Sequence, residues 1–226
     1  MELSKKALWC EIPQPKALIF DWDNTLVDTW AVIHDALNKA LETFGKQAWS
    51  LEETHIRVRR SMRDSFPCIF GDKWEAASEV FYERYESIHM AKLKRLAGAT
   101  EMLELIVAKG FYLAVVSNKR GDFLRAEANY LGWSRFFNMI VGANDAERDK
   151  PSPEPIYLAL SQTDIKPGPE VWYMGDTDTD MEFAYFTGCF PVLMRESPPK
   201  KGEFDGSPPA RHFTDCMALC KFIDNL

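Results

Sequence analysis

Two features are missing from this sequence: an excess of positive charge and a long uninterrupted apolar segment. The formal net charge is −7, whereas a protein that binds nucleic acid usually carries a basic face. The stretch from Met1 to Lys16 mixes Lys and Glu and has no long apolar run. We therefore expect no nucleic-acid partner, no membrane span or membrane partner, and no signal peptide.

Cysteine is scarce, and its spacing does not suit a bound metal or a disulfide framework. The five cysteines form no CxxC pair, and their odd number favours reduced thiols in a cytoplasmic protein. No pair of histidines lies near the two cysteines that are four residues apart. The cysteines are Cys10, Cys68, Cys189, Cys216 and Cys220.

Apolar residues make up 46% of the 226 residues, enough for one full domain and a smaller insert. Short apolar runs alternate with helical patterns, which predicts βαβ units and an α/β fold with a Rossmann-like parallel sheet. Strands are predicted at Ala17–Phe20, Tyr112–Val116, Met139–Val141, Val171–Met174 and Pro191–Met194. Helices are predicted at Glu101–Ala108, Asp122–Tyr130, Pro155–Gln162, Asp180–Phe186 and Asp215–Ile223, and a loop rich in Pro and Gly at Ser197–Ala210.

The stretch after the first strand interrupts this alternation with helical patterns alone. Apolar residues recur at helical spacing from Trp30 to Phe44, with Asp28 or Thr29 as a cap and Gly45 as a stop. Further helical patterns run over Leu51–Met62 and Trp74–Leu93. We predict a core domain of residues 1–28 and 97–226, and a helical cap domain of residues 29–96 that stands over the strand ends like a lid.

Two carboxylates follow the first predicted strand. Asp21 and Asp23 come directly after the apolar run that ends at Phe20. Ligands of open α/β sheets bind at the carboxyl ends of the strands. Neighbouring acids are costly to bury unless a cation or a reaction uses them. Asp21 and Asp23 are therefore candidate catalytic residues, and an ordinary surface loop is the alternative.

A later strand end and a later loop carry groups that could bind phosphate. Ser117 and Asn118 follow the second strand, where a hydroxyl, an amide and free backbone N–H groups can hold a phosphate. Lys150 lies in a loop stiffened by prolines, with Ser152 predicted as a helix N-cap and Pro153 as the first helical residue. A turn, a helix cap or a solvated charge is the ordinary interpretation of each feature alone.

Acidic residues also follow the predicted strand Val171–Met174. Gly175 lets the backbone pass close to a neighbour, and Asp176 and Asp180 are spaced so that both can point into one pocket. Helix capping is the alternative, and it suits Asp178 best. Carboxylates, a lysine and a serine on one edge of a parallel sheet together predict a site for Mg²⁺ and a phosphoryl group.

These four motifs, in this order, resemble those of the haloacid dehalogenase superfamily of phosphohydrolases over nearly the whole chain. The helical insert likewise resembles the cap of that superfamily. The matching residues are Asp21, Asp23 and Thr25 of DxDxT, Ser117 at a strand end, Lys150 before Pro151, and Gly175, Asp176 and Asp180 of GDxxxD.

The resemblance implies a mechanism and a cofactor. Asp21 would be the nucleophile that forms an aspartyl-phosphate, and Asp23 would be the general acid and base. The implied ligands of Mg²⁺ are the Asp21 side chain, the Asp23 backbone carbonyl, Asp176 and Asp180. The implied substrate-binding residues are Thr25, Ser117, Asn118 and Lys150, of which Ser117 and Lys150 would hold the phosphoryl oxygens.

The acid at position 23 favours phosphate-ester hydrolysis, because the dehalogenases and phosphonatases of the superfamily lack an acid there. Phosphoglycolate phosphatases are the most similar branch by length, cap position and the Lys-Pro-x-Pro run. We therefore predict a phosphatase for a small phosphorylated metabolite, as a monomer or homodimer. A β-phosphoglucomutase-like transferase, a phospho-receiver module and a catalytically silent binding relative are the alternatives.

The cap is expected to decide which substrate is used. Arg60 is the candidate partner for a carboxylate or second phosphate of the substrate, with a solvated helix face as the alternative for its arginine-rich segment. His34 and His89 are predicted to lie at the surface or to pack within the cap. The arginines of the second cap helix are Arg57, Arg59, Arg60 and Arg63, and the aromatic residues predicted for the cap core are Trp30, Phe44, Phe66 and Trp74.

Overall fold

The computed structural model describes residues 12–226, so the predictions for Cys10 and for a leader segment lie outside the described residues. Short 3₁₀ turns lie at Gly71–Lys73 and Ser134–Phe136. The elements in chain order are β1 (Ala17–Phe20), β2 (Val27–Asp28), α1 (Trp30–Thr43), α2 (Leu51–Arg57), α3 (Met62–Phe70), α4 (Trp74–Lys92), β3 (Lys94–Arg95), α5 (Ala99–Ala108), β4 (Tyr112–Arg120), α6 (Gly121–Tyr130), β5 (Met139–Ala143), α7 (Glu154–Ala159), β6 (Val171–Gly175), α8 (Asp178–Thr187), β7 (Phe190–Met194), β8 (Arg211–Phe213) and α9 (Cys216–Asp224).

Six strands form one parallel sheet in the order β5-β4-β1-β6-β7-β8. Leu18 and Phe20 of β1 pack into one apolar cluster, while Ala17 and Ile19 pack into another. This alternation shows that β1 is buried on both faces, as a central parallel strand requires. The chain adds strands on one side of β1 and then on the other, so the strand order reverses there and opens a crevice. The predicted α/β fold is confirmed.

Some element boundaries differ from the prediction. The short edge strand β8 was not predicted, because Arg211-His212-Phe213 lacks the continuous apolar run of a central strand. Helix α7 begins at Glu154 with Pro153 as its N-cap, so the prediction of Ser152 as the N-cap was wrong. The Ser152 hydroxyl instead donates a hydrogen bond to the Glu154 carboxylate.

Helices α1 to α4 occupy the stretch predicted to be a cap. Helices α1, α3 and α4 share an apolar cluster that includes Leu37, Phe66 and Phe81. The helix predicted over Leu51–Met62 begins at Leu51 as expected but is too long: α2 ends at Arg57, and α3 begins at Met62 after an extended link. The two-residue strands β2 and β3 pair antiparallel where the chain enters and leaves the insert, although no strand was predicted there. The division into two domains stays a prediction.

The predicted packing residues of the cap fall into two groups. Phe44, Phe66 and Trp74 join or border the apolar cluster of the cap. The Trp30 ring lies 4.2 Å from the His55 ring and lines a cavity, so its assignment to the cap core was wrong. The His34 ring forms a hydrogen bond with the Thr54 hydroxyl, which joins α1 to α2. Within residues 12–226, no helix combines the length and apolar character needed to traverse a bilayer.

A buried polar network joins the insert to the sheet. Glu127 on α6 accepts hydrogen bonds from the Trp22 indole at 2.7 Å, from Lys119 Nζ at 2.7 Å and from the Tyr85 hydroxyl at 2.9 Å, and its Oε1 lies 2.8 Å from His89 Nδ1. Burial opposes the charge of Glu127, but Lys119 and the surrounding donors outweigh it and lower its pKa to about 2. His89 is therefore buried where α4 packs against α6.

We predict that Glu127→Gln lowers the free energy of unfolding at pH 7 by about 3 kcal/mol, because it removes one of the two carboxylates that pair with buried Lys119. The pKa of Glu127 is depressed from 4.5 to about 2 in the folded state. Its contribution is therefore complete above about pH 4.5 and is lost as the pH falls towards about 2. Urea unfolding between pH 7 and pH 3 measures both effects.

The control for this experiment is Glu83→Gln, which alters an exposed carboxylate on α4. It should leave the stability within about 0.5 kcal/mol of the unsubstituted chain. Equal losses for the two variants, or a Glu127 effect that does not shrink in acid, would contradict the network described above.

Candidate active site

The turn after β1 directs its two acids to different partners. Asp21 is buried, and its backbone N–H continues the sheet by donating to the Met174 carbonyl at 2.7 Å. Asn24 adopts φ 58°, which tightens the turn that brings Thr29 back to Asp23. Oδ1 of Asp23 thus lies 2.7 Å from the donating Thr29 hydroxyl.

Lys119 approaches the same oxygen of Asp23. Its Nζ lies 2.6 Å from Asp23 Oδ1 and 2.7 Å from Glu127 Oε2. Burial alone would favour a neutral amine, but the two carboxylates and Tyr85 outweigh it and hold the pKa of Lys119 well above its usual value. The Asp23 carboxylate is therefore fixed between a hydroxyl and a buried ammonium.

Lys150 ties two other carboxylates together. Its Nζ donates to Asp21 Oδ1 at 2.7 Å, to Asp180 Oδ1 at 2.8 Å and to the Tyr173 hydroxyl at 2.7 Å. Burial opposes its charge, but Asp180 and Asp21 raise its pKa and keep it an ammonium. The Asn118 amide bonds both the N–H and the C=O of Lys150, each at 3.0 Å. Asn118 thus fixes the backbone of this lysine.

The position of the Asp180 carboxylate depends on Gly175, the glycine that ends β6. An added Cβ on Gly175 would lie 2.3 Å from Asp180 Cγ, so a side chain at position 175 would displace the carboxylate. The Thr177 N–H and hydroxyl both donate to Asp180 Oδ2, at 3.0 and 2.6 Å. Burial would raise the pKa of Asp180, but Lys150 and these Thr177 donors lower it. The predicted close approach at Gly175 is confirmed.

The carboxylates of Asp21, Asp176 and Asp180 suit a hard divalent cation. Each offers an oxygen, and these oxygens lie within 4.8 Å of one another, as Mg²⁺ with its oxygen ligands prefers. Burial and the neighbouring acids raise the pKa of Asp176 well above its ordinary value, and a bound cation would relieve that cost. The Asp23 side chain lies outside this group, on Lys119 and Thr29.

The pKa of the Asp21 carboxyl is raised above its ordinary value. Burial raises its pKa to about 6; Lys150 lowers it, while Asp180 and Asp23 raise it. Above that pH the group is an anion, which is the form that can attack phosphorus or bind a cation.

One cavity brings most of the predicted site residues together, and Thr25 is the exception. Thr25 does not line the cavity; its Oγ1 is buried and has no hydrogen-bond partner among the described residues. The substrate-binding role of Thr25 stays a prediction, and no contact among the described residues supports it. The predicted residues that do line the cavity are Asp21, Asp23, Arg60, Ser117, Asn118, Lys150, Asp176 and Asp180.

Three contributors were missed by the sequence reasoning: Thr29, Lys119 and Tyr173. Thr29 was considered only as a helix cap, yet it makes no side-chain cap bond to α1. Lys119 follows the Ser117-Asn118 pair, and this position beside a site motif was the available signal. Tyr173 lies inside an apolar strand pattern that gave no hint of its hydroxyl's role.

The cap arginines do not share one helix face. Arg57 pairs with Glu53 on its own helix, whereas Arg63 makes a bidentate pair with buried Asp149 of the core, with both distances 2.6 Å. Arg60 Nη2 lies 3.9 Å from Glu182 Oε2 at the cavity rim. Asp178, whose role was open, lies at the first position of α8, where its Oδ1 accepts from the Thr179 N–H.

We predict that Gly175→Ala weakens Mg²⁺ binding by at least about tenfold, because the new methyl group displaces the Asp180 carboxylate by steric overlap. Isothermal titration calorimetry with Mg²⁺ alone gives the affinity. The matched control is Gly168→Ala, where an added Cβ meets nothing closer than the Lys166 carbonyl at 3.9 Å. Equal affinities of the two variants would show that Gly175 does not shape the carboxylate group.

Comparison with known proteins identifies relatives over most of the chain. The sequence model of a family described as haloacid dehalogenase-like hydrolase matches residues 18–193. Phosphoglycolate phosphatase from Aquifex aeolicus is 31% identical over 168 residues, which are 74% of this chain and 78% of that protein. The crystal structure of a HAD-superfamily hydrolase from Ehrlichia chaffeensis is 28% identical, with a TM-score of 0.65 over 96% of this chain and 99% of that one.

A second solved structure shows the same fold at lower sequence identity. It is described as a haloacid dehalogenase-like hydrolase from Bacteroides fragilis, and it superposes with a TM-score of 0.83 at 20% identity. The match covers 91% of this chain and 100% of that chain.

Proposed function

The chain belongs to the haloacid dehalogenase-like hydrolase family, and we propose that it is a Mg²⁺-dependent phosphatase that works through an aspartyl-phosphate on Asp21. One observation carries the proposal. Asp21 and Asp23 line one cavity but face different lysines, with Lys150 2.7 Å from the first carboxylate and Lys119 2.6 Å from the second. Two acids in different surroundings can perform two different tasks.

Asp21 is the proposed nucleophile. Lys150 holds Oδ1 and fixes the carboxylate at the carboxyl end of β1, and a lone pair on the carboxylate attacks phosphorus in line with the leaving oxygen. The P–O bond to the leaving group breaks as the Asp21 O–P bond forms. Lys150 and Ser117 stabilise the phosphoryl oxygens, whose charge must be offset in the transition state. Water then hydrolyses the acyl-phosphate and releases phosphate.

Asp23 is the proposed acid and base. In the first step it gives a proton to the leaving oxygen, and in the second it takes one from the attacking water. Thr29 and Lys119 hold Oδ1 at 2.7 and 2.6 Å, so the carboxylate keeps one orientation in both steps.

The metal proposal rests on the donor set. Asp21, Asp176 and Asp180 would hold Mg²⁺, and the ion supplies positive charge that lets a phosphate dianion approach these acids. A small phosphorylated metabolite is the proposed substrate. Phosphoglycolate, named for the Aquifex relative, is the first compound to test. The four described cysteines are free thiols, which suits the proposed cytoplasmic location.

The direct test is phosphate release from a panel of phosphomonoesters, with Mg²⁺ and with a chelator. Release that needs Mg²⁺ supports the proposal. If no compound releases phosphate with the metal present, the phosphatase assignment fails.

We predict that Asp21→Asn lowers kcat by about three orders of magnitude or more without loss of fold, because it removes the nucleophilic anion. Circular dichroism checks the fold, and phosphate release gives the rate. Asp178→Asn is the control, since Asp178 lies 3.9 Å from Arg59 in a partly exposed pair that contributes little. Normal turnover by the Asp21 variant would disprove its role as nucleophile.

We predict that Thr29→Val lowers kcat about tenfold, because it removes a hydrogen bond to a charged group while keeping the side-chain shape. KM should change little, since Asp23 and not the substrate loses the contact. Thr43→Val, at the exposed end of the same helix, should have no effect. A loss confined to KM would instead place Thr29 in substrate binding.

A further inference from the structure

The cavity that contains the catalytic acids continues into the cap between α1, α3 and α4. Its volume is about 170 Å³. The part near the sheet is polar, with Asp21, Ser117 and Lys150, whereas the part within the cap is lined largely by apolar and aromatic side chains. The side chains that form this inner wall include Trp30, Ile33, Met62, Phe66, Ile69 and Tyr82.

Most of the cations at this inner part already have partners. Arg57 pairs with Glu53 and lies over the Trp49 ring at 4.7 Å. Arg120 makes two hydrogen bonds to Asp122, at 2.6 and 2.7 Å. A carboxylate on a leaving group placed here would lose its hydration and gain little from these paired guanidinium groups.

Aromatic rings cover the guanidinium of Arg120, which reduces the polar surface that it presents to the inner part of the cavity. Its guanidinium carbon lies over the Phe123 and Tyr82 rings, at 4.0 and 4.1 Å from the ring centroids. Burial raises the pKa of Tyr82 to about 12, so its hydroxyl stays neutral. Arg60, the residue predicted to bind a substrate anion, sits at the rim with 55% of its side chain exposed.

The apolar lining favours a ring over a short chain. A ring would cover the apolar side chains of this wall, whereas a two-carbon leaving group would leave much of the wall in contact with water. Aromatic walls also give edge and face contacts that add to simple burial.

We propose that the cap cavity is a subsite for an aromatic leaving group, so that the preferred substrate is a phosphomonoester of an alcohol that carries an aromatic ring. This inference rests on the phosphatase function proposed above and narrows its substrate class. The phosphoryl group lies at Asp21 and Lys150, and the ring lies between α1, α3 and α4. Hydrolysis breaks the P–O bond, and the released alkoxide takes its proton from Asp23.

The test compares 2-phenylethyl phosphate with ethyl phosphate and phosphoglycolate, each with Mg²⁺. The first two release primary alkoxides of similar basicity, so their difference reports on binding of the ring and not on leaving-group reactivity. We expect kcat/KM for the phenylethyl ester to exceed that for each of the others by at least about tenfold. Equal or lower values for this ester would overturn the aromatic subsite while the phosphatase function stood. No phosphate release from any ester would overturn both.

A variant pair tests where the preference arises. Ile69→Asn adds a polar group to the cavity wall and should reduce the phenylethyl-to-ethyl ratio of kcat/KM at least about fivefold. Val80→Asn alters a half-buried cap residue outside the cavity wall and should leave that ratio unchanged. An unchanged ratio in the Ile69 variant, or an equal fall in both variants, would overturn the placement. If the Ile69 variant does not fold, the comparison of esters with the unsubstituted chain still decides the proposal.

Discussion

Negative charge crowded at the carboxyl edge of the sheet is the constraint on which the rest of this structure depends. Three carboxylate oxygens come within 4.8 Å of one another, and a fourth acid, Asp23, lies nearby in the same cavity. Such an arrangement is unstable in a low-dielectric environment without compensating cations. Lys150 and Lys119 supply two of them, and each is itself buried.

The two lysines neutralise different sets of carboxylates. Lys150 links the acids of β1 and α8, so it holds the two halves of the sheet edge together. Lys119 links Asp23 to Glu127, and through Glu127 to Tyr85 and His89 of the insert. The protonation chemistry proposed for Asp23 and the attachment of the insert thus share one set of buried contacts. Loss of a partner there affects stability and catalysis together.

Much of this could be predicted from the sequence. Continuous apolar runs gave the five longer strands of the sheet, because buried parallel strands need such runs. The carboxyl-end rule then placed Asp21, Ser117 and Asp176 at one cavity. Family membership, recognised from the motifs, is confirmed by the comparisons.

The rest depended on contacts between residues distant in the chain. No local pattern relates Lys119 to Tyr85 on α4, or Arg63 to Asp149, since those pairs form only when the insert packs on the core. The break between α2 and α3 was missed because Val58 to Ser61 contains no glycine or proline to mark it. The motif that contains Thr25 could not show that this residue does not line the cavity.

The ion pair between Arg63 and Asp149 limits which inserts could replace this one during evolution. Asp149 has 1% of its side chain exposed and directly precedes Lys150, and an arginine from the insert neutralises it. An insert without that arginine would leave the Asp149 carboxylate unpaired beside Lys150. Asp149 and Asp21 would then compete for the ammonium group of Lys150. The insert is therefore not an interchangeable module: a foreign one grafted onto this core must bring its own cation to the same place.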